Sequence, residues 1–132
     1  MENMFTLLRL AAIGVLSLTA IEVPSGEQPE TVMITLHAKS GADSALRSVI
    51  ERHWSTLERL KLISSPLHTT LRGTEAGGVY FVEIFTWRDS AIPDNAPSEV
   101  RAFWDQMAEL TQARGGKPGI DIAELADRPT AQ

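Results

Sequence analysis

Four stretches of the chain alternate or run apolar, and two others repeat their apolar residues every three or four positions. In Val32–Ala38, Val32, Ile34 and Leu36 share one face and Met33, Thr35 and His37 the other, which predicts a first strand. Ser40 and Asp43 then stand at capping-box spacing and open a helix to about Lys61. Its stripe is Leu46, Val49, Ile50, Trp54, Leu57 and Leu60, with His53 at the border. Ser64–Gly73 predicts a second strand, marked by Pro66 as starting at an edge or bulge, and Gly73–Gly78 turns it into a hairpin. The returning stretch, GGVYFVEIFTWRD over Gly77–Asp89, has the composition of a strand covered on both faces. Tyr80, Val82 and Ile84 are expected to face the core. Val79, Phe81, Glu83, Phe85 and Trp87 are expected on the opposite side. After a turn-rich loop, Ser90–Pro97, a second helix carries Val100, Phe103, Trp104, Met107 and Leu110, and Gly115-Gly116 with Lys117-Pro118 stops it. Gly119–Ala126 predicts a last short strand.

The order strand, helix, strand, strand, helix, strand predicts an α+β ferredoxin-like βαββαβ fold, with a four-stranded antiparallel sheet and two helices on one face. In the hairpin, Arg72 is expected opposite Val79, Thr70 opposite Phe81, and His68 opposite Glu83. That register sorts the apolar residues of both strands to one side. Met33, Phe81, Phe85 and Trp87 would then form an apolar patch on the helix-free face, too large for a soluble monomer. Two such sheets are expected to pair face to face in a homodimer.

Composition narrows the partners. The 132 residues suit one domain, placed at residues 31–127 with a frayed tail at 128–132. A net charge of -5 without a basic cluster argues against nucleic acid. The lack of cysteine removes disulfides, thiolate metal sites and cysteine nucleophiles. Residues 1–20 have the pattern of an export signal: Arg9, an apolar run from Leu10 to Leu18, and small Ala20 before the cut. Residues 21–30 read as a linker. The mature chain is then exported, periplasmic or secreted, with no stable membrane span. If the segment is instead an uncleaved amphipathic helix, the protein is cytoplasmic.

The candidate chemistry lies on the face opposite the predicted core. His37, His68 and Glu83 are the catalytic candidates, since an imidazole beside a carboxylate in an apolar pocket makes a general base. In this reading His68 is the base and Glu83 orients it. Phe81, Phe85 and Trp87 form an aromatic slot, and Met33, Thr35 and Thr70 complete the substrate-binding wall. A cross-strand charge pair at a sheet or dimer seam is the structural alternative. Two His and one Glu could also make a metal set, but they come from three strands and no metal is assigned. No phosphate-binding glycine loop and no Ser-His-Asp elbow is present.

The element order and the strand VYFVEIFTWRD, with Glu83, Phe85 and the exit Trp87-Arg88-Asp89, resemble the dimeric α/β-barrel superfamily in its antibiotic-biosynthesis-monooxygenase-like branch. The resemblance implies a homodimer enclosing small-molecule cavities and a cofactor-independent monooxygenase-like activity on an aromatic or quinone-like compound. Many members carry a His early in the second helix, where this chain has Ser98–Ala102. The Asn, Trp and His set of the haem-degrading branch has no clear counterpart. The alternative function is a non-catalytic dimeric protein that binds a small apolar or aromatic ligand, with haem binding or degradation ranked below both.

Overall fold

The computed structural model describes residues 28–64 and 68–125. The predicted export segment, most of the linker, Pro66 with its expected bulge, Leu67 and the tail lie outside the described residues. The elements run β1 (Glu30–His37), α1 (Asp43–Arg59), β2 (Thr69–Glu75), β3 (Gly78–Trp87), a helical turn at Pro93–Asn95, α2 (Ser98–Glu109) and β4 (Ile120–Leu125). The strands pair antiparallel in the order β2-β3-β1-β4. This is the expected ferredoxin-like α+β fold, with β1 and β3 central and both helices packed on one face. No helix among the described residues is long and apolar enough to cross a membrane.

The faces of β1 are as expected; those of β3 are reversed. Val32 pairs with Phe85, Ile34 with Glu83 and Leu36 with Phe81, so all six face the helices. Phe81, Phe85 and Trp87 are buried in the core, while Tyr80, Val82 and Ile84 share the helix-free face with Met33 and Thr35. Both sides of β3 are apolar, so alternation alone does not orient it. Side-chain size does: the large rings fill the deep space under α1 and α2, and the β-branched residues suit the flatter side. The lone acid misleads, because Glu83 finds its hydrogen bonds inside.

The hairpin register is offset by two residues from the expected one. Thr70 lies opposite Glu83, Leu71 opposite Val82 and Arg72 opposite Phe81. An even offset keeps every side chain on its face. The cause is a turn centred one residue later than expected: Glu75 pairs with Gly78, and Ala76 and Gly77 form the loop. Gly78 has φ +131, a conformation that glycine tolerates best. As a result His68 precedes β2 and is not paired across from Glu83.

Helix α1 lacks the expected capping box. Gly41 takes φ +80 in a turn closed by Ala42 N–H to Lys39 O, and the helix begins after Ala42 without a side-chain cap. Its other end is a Schellman motif. Leu62 N–H donates to Leu57 O, Lys61 N–H donates to Glu58 O, and Lys61 adopts φ +59. The segment after it is stitched to the end of β3 by Arg88 N–H to Leu62 O and Ser64 N–H to Thr86 O. Helix α2 ends at Glu109, well before the glycines, and Thr111 Oγ1 donates back to Met107 O. Gly115 and Gly116, at φ +61 and +81, instead make the turn that pairs Arg114 with Lys117. Arg114 reaches back from there to Ala38 O, Val79 O and Glu75, tying the ends of β1 and the hairpin to the approach of β4.

Candidate functional site

A cavity of about 450 Å³ lies between the sheet and the helices. Its floor is the helix side of β1, β3 and β4: Val32 and Ile34, then Glu83, Phe85 and Trp87, then Ile120 and Ile122. Its roof is His53 and Trp54 from α1 with Trp104 and Met107 from α2. These come from the stripes that make each helix amphipathic, so the cavity is an unfilled part of the core. Edge-to-face rings brace the wall, Trp54 with Phe85 at 4.8 Å and Phe85 with Trp87 at 4.9 Å between centroids.

Glu83 is the polar centre of this space, only 4% exposed. Its Oε1 accepts from Trp54 Nε1–H at 2.6 Å and from Thr70 Oγ1–H at 2.9 Å. Its Oε2 is shut off from water and has no hydrogen-bond partner. Burial pushes the carboxyl up to about 7, against the smaller opposing pull of the Thr70 and Trp54 hydrogen bonds. A carboxyl that exchanges its proton near neutral pH in an apolar pocket is suited to general acid–base work.

His53 is the second titratable group of the cavity. It is buried, not half covered at the stripe's border as the sequence suggests. Its Nε2 accepts from Trp104 Nε1–H at 3.1 Å, which places the neutral ring's proton on Nδ1. Burial, helped by the nearby His68, lowers its pKa to about 4, so it is uncharged at neutral pH. At the open end of the cavity the apolar rows of β1 and β4 give way to Glu30 and Glu124, and Asp94 joins them from the turn after β3.

The predicted catalytic trio is not gathered in one place. Glu83 is in the cavity. His68 stacks flat on Trp54, with centroids 3.9 Å apart and planes within 6°, and occupies a second cleft of about 420 Å³ with Thr70, Phe81 and Glu58. Its Nδ1 is 3.8 Å from Glu58 Oε2, and among the described residues no hydrogen bond joins it to Glu83. Burial lowers the His68 pKa while Glu58 works against that. His37 is on the other side of the sheet, where Nδ1 meets Pro118 O at 3.1 Å and Nε2 lies 3.7 Å from Glu75. Met33 and Thr35 share that side, so they do not wall the cavity with Phe85 and Trp87. The cause is the reversed face of β3, which carries Glu83 away from His37, and the shifted hairpin turn, which leaves His68 short of Glu83. Among the described residues no three metal-ligating side chains cluster, so the conceivable set of His37, His68 and Glu83 does not assemble.

Three residues at the heart of the cavity were not marked as site residues by the sequence: His53, Trp54 and Trp104. Their signal was polar ring atoms on otherwise apolar helical stripes, since buried indole N–H and imidazole groups need partners. Glu83 accepts from Trp54 from the strand below, and His53 accepts from Trp104.

No family model matches the chain, and no curated protein matches it. Solved structures do. Rv0793 from Mycobacterium tuberculosis aligns at 17% identity with a TM-score of 0.57, over 80% of this chain and 100% of its own. An antibiotic biosynthesis monooxygenase aligns at 13% identity and 0.55, over 76% and 99%. SnoaB, a cofactor-independent oxygenase from Streptomyces nogalater, aligns at 20% identity and 0.55, over 78% and 97%. The chain thus has the ferredoxin-like fold of antibiotic biosynthesis monooxygenase-like proteins, as its third strand suggested. At these identities the likeness is one of fold.

Proposed function

We propose that this protein binds a small aromatic or quinone-like compound between its sheet and helices and oxygenates it without a cofactor. The observation that carries the reading is Glu83: a carboxyl buried in the wall of an aromatic-lined cavity, with Oε2 unpaired and its pKa pushed up to about 7 by burial. Glu83 takes a proton from a phenol or enol, and Trp54 and Thr70 hold the carboxylate in place. The resulting electron-rich anion reacts with oxygen at carbon to form a peroxide. One oxygen atom stays on that carbon as a carbonyl, and the other leaves as water with that carbon's hydrogen and the hydroxyl proton that Glu83 had taken, so the original hydroxyl also ends as a carbonyl. The cavity walls orient the ring and exclude bulk water. SnoaB, named as a cofactor-independent oxygenase, supports the reading by fold.

The protein works as a homodimer in this proposal. Support comes from the helix-free face, where Leu71, Val82 and Ile84 cluster and Leu71 is 54% exposed. Export through residues 1–20 completes the picture; a mature N-terminus at Ile21 in protein from the native host would support it and an intact Met1 would refute it. The deciding experiment is oxygen uptake with a panel of hydroxyanthracene-type compounds, in the native chain and in Glu83→Gln. Uptake that falls about 10²–10⁴-fold in the variant fits a general base. A second reading, binding without turnover, is favoured by His53, whose Nε2 is already occupied by Trp104. Tight binding of the panel with no uptake would establish it.

A further inference from the structure

His53 is 4% exposed and sits on the buried stripe of α1, in the roof of the cavity. Trp104 Nε1–H can only donate, so His53 Nε2 accepts and the ring's proton is on Nδ1. Among the described residues nothing accepts a hydrogen bond from that Nδ1–H. Three interior side-chain atoms are both unpartnered and sealed from water: His68 Nδ1, Glu83 Oε2 and Arg114 Nε. His53 Nδ1 is unpartnered without being sealed, and the space that His53 borders is the cavity. The donor therefore opens into it. Trp87, equally buried and in the floor of the same cavity, has an Nε1–H that also lacks an acceptor among the described residues and is not sealed. Deep in the cavity, then, the free polar atoms are donors, and the acceptor Glu83 Oε2 is closed off. A buried donor without a partner is costly. A water could not serve the histidine well, because Trp54, Phe85 and Met107 give it few further partners there. The imidazole is also held in place: Phe103 meets it edge-on at 6.1 Å and Trp54 packs against it at 5.5 Å.

We infer that the compound bound in this cavity is an aromatic ketone or quinone whose carbonyl oxygen accepts from His53 Nδ1–H, with Trp87 Nε1–H as a second donor. The inference rests on the proposed aromatic-binding role of the cavity and adds the residue that reads the compound's oxygen. His53 is uncharged at neutral pH, so it offers a hydrogen and no ion pair. A neutral carbonyl suits it better than a carboxylate, whose charge would be left unpaired in an apolar space. In the proposed reaction the same donor would stabilise the negative charge on the substrate's oxygen after its proton has gone. His53 thus determines specificity, and Trp104 positions it by fixing which nitrogen carries the hydrogen.

The test uses the full chain with tetralone and with tetralin, which has the same two rings and no oxygen. Binding is read from the change in tryptophan fluorescence. The ratio of tetralone to tetralin affinity is compared between proteins, which cancels the difference in how the two compounds leave water. That ratio should fall about fivefold in His53→Met, the usual worth of one neutral hydrogen bond. It should stay near the native value in His53→Gln, whose amide can still accept from Trp104 and donate to the ligand. Tetralin should bind all three proteins alike. If His53→Met does not fold, the native chain decides alone: the His53 Nδ1–H proton resonance should move downfield with tetralone and not with tetralin, a change that a purely structural histidine would not show. An unchanged ratio in folded His53→Met, or a resonance that ignores tetralone, would overturn the inference and leave the aromatic-binding reading standing. No binding by either probe would overturn both.

Discussion

Trp54 Nε1–H donates to Glu83 Oε1 at 2.6 Å, and the same indole carries His68 stacked on its face at 3.9 Å. One ring therefore separates the sheet–helix cavity from the second cleft, and it holds the carboxyl at the seam between them. Replacing Trp54 by Phe keeps most of the wall and removes the donor. The carboxylate loses a stabilising hydrogen bond, so the Glu83 pKa should move further above 7. Stability should fall by about 1–3 kcal/mol. An NMR titration of the Glu83 carboxyl checks this; a pKa near the ordinary 4.5 in the variant would contradict it.

Glu83 and His53 should tilt stability in opposite directions with pH. Glu83 is raised from 4.5 to about 7, so its contribution is full below about 4.5 and is lost as pH rises through 7. His53 is lowered from 6.5 to about 4, so its contribution is full above about 6.5 and is lost as pH falls through 4. Relative to the native chain, Glu83→Gln should gain stability as pH rises through its window, and His53→Gln should gain as pH falls through its own. Each slope approaches about 1.4 kcal/mol per pH unit. Denaturant melts at several pH values test the pair, and curves parallel to the native one would rule it out.

The two sides of β3 should respond differently to a charge. Val82→Asp places a carboxylate on the helix-free face and should split the proposed dimer into folded monomers. Phe81 is 2% exposed under the helices, so Phe81→Asp should unfold the chain, since an unpaired buried charge costs several kcal/mol. Light scattering with circular dichroism separates these outcomes. A native chain that is monomeric at micromolar concentration would refute the dimer.

Arg114→Ala should destabilise the protein by about 2 kcal/mol, because it removes charged hydrogen bonds to Val79 O at 3.0 Å and Glu75 Oε2 at 3.1 Å, as well as the contact to Ala38 O. The melting temperature should drop by roughly 10 °C. Ligand binding should not change, because Arg114 does not line the cavity. A variant that melts with the native chain would show the clamp to be dispensable.

The sequence made the order of elements legible because each has its own period, and β1 could be oriented because only one of its faces is apolar. Glu83, Phe85 and Trp87 were singled out together in the sequence, and they do line one cavity. What could not be read was the side of the sheet on which that cavity lies. That depended on ring size and on a buried hydrogen bond from Trp54, which comes from a different element. His68 was misplaced by the position of one turn, and His53 was passed over because a histidine at the edge of a stripe usually faces water.

β4 is the last element among the described residues, and it supplies Ile120, Ile122 and Glu124 to the binding space. During synthesis β1, β3 and both helices are complete before it emerges, and until then β1 is an unpaired edge. The binding space is thus finished only when the final strand docks. Any ligand that touches Ile120 or Ile122 also holds that strand in place, so occupancy and completion of the sheet are thermodynamically linked.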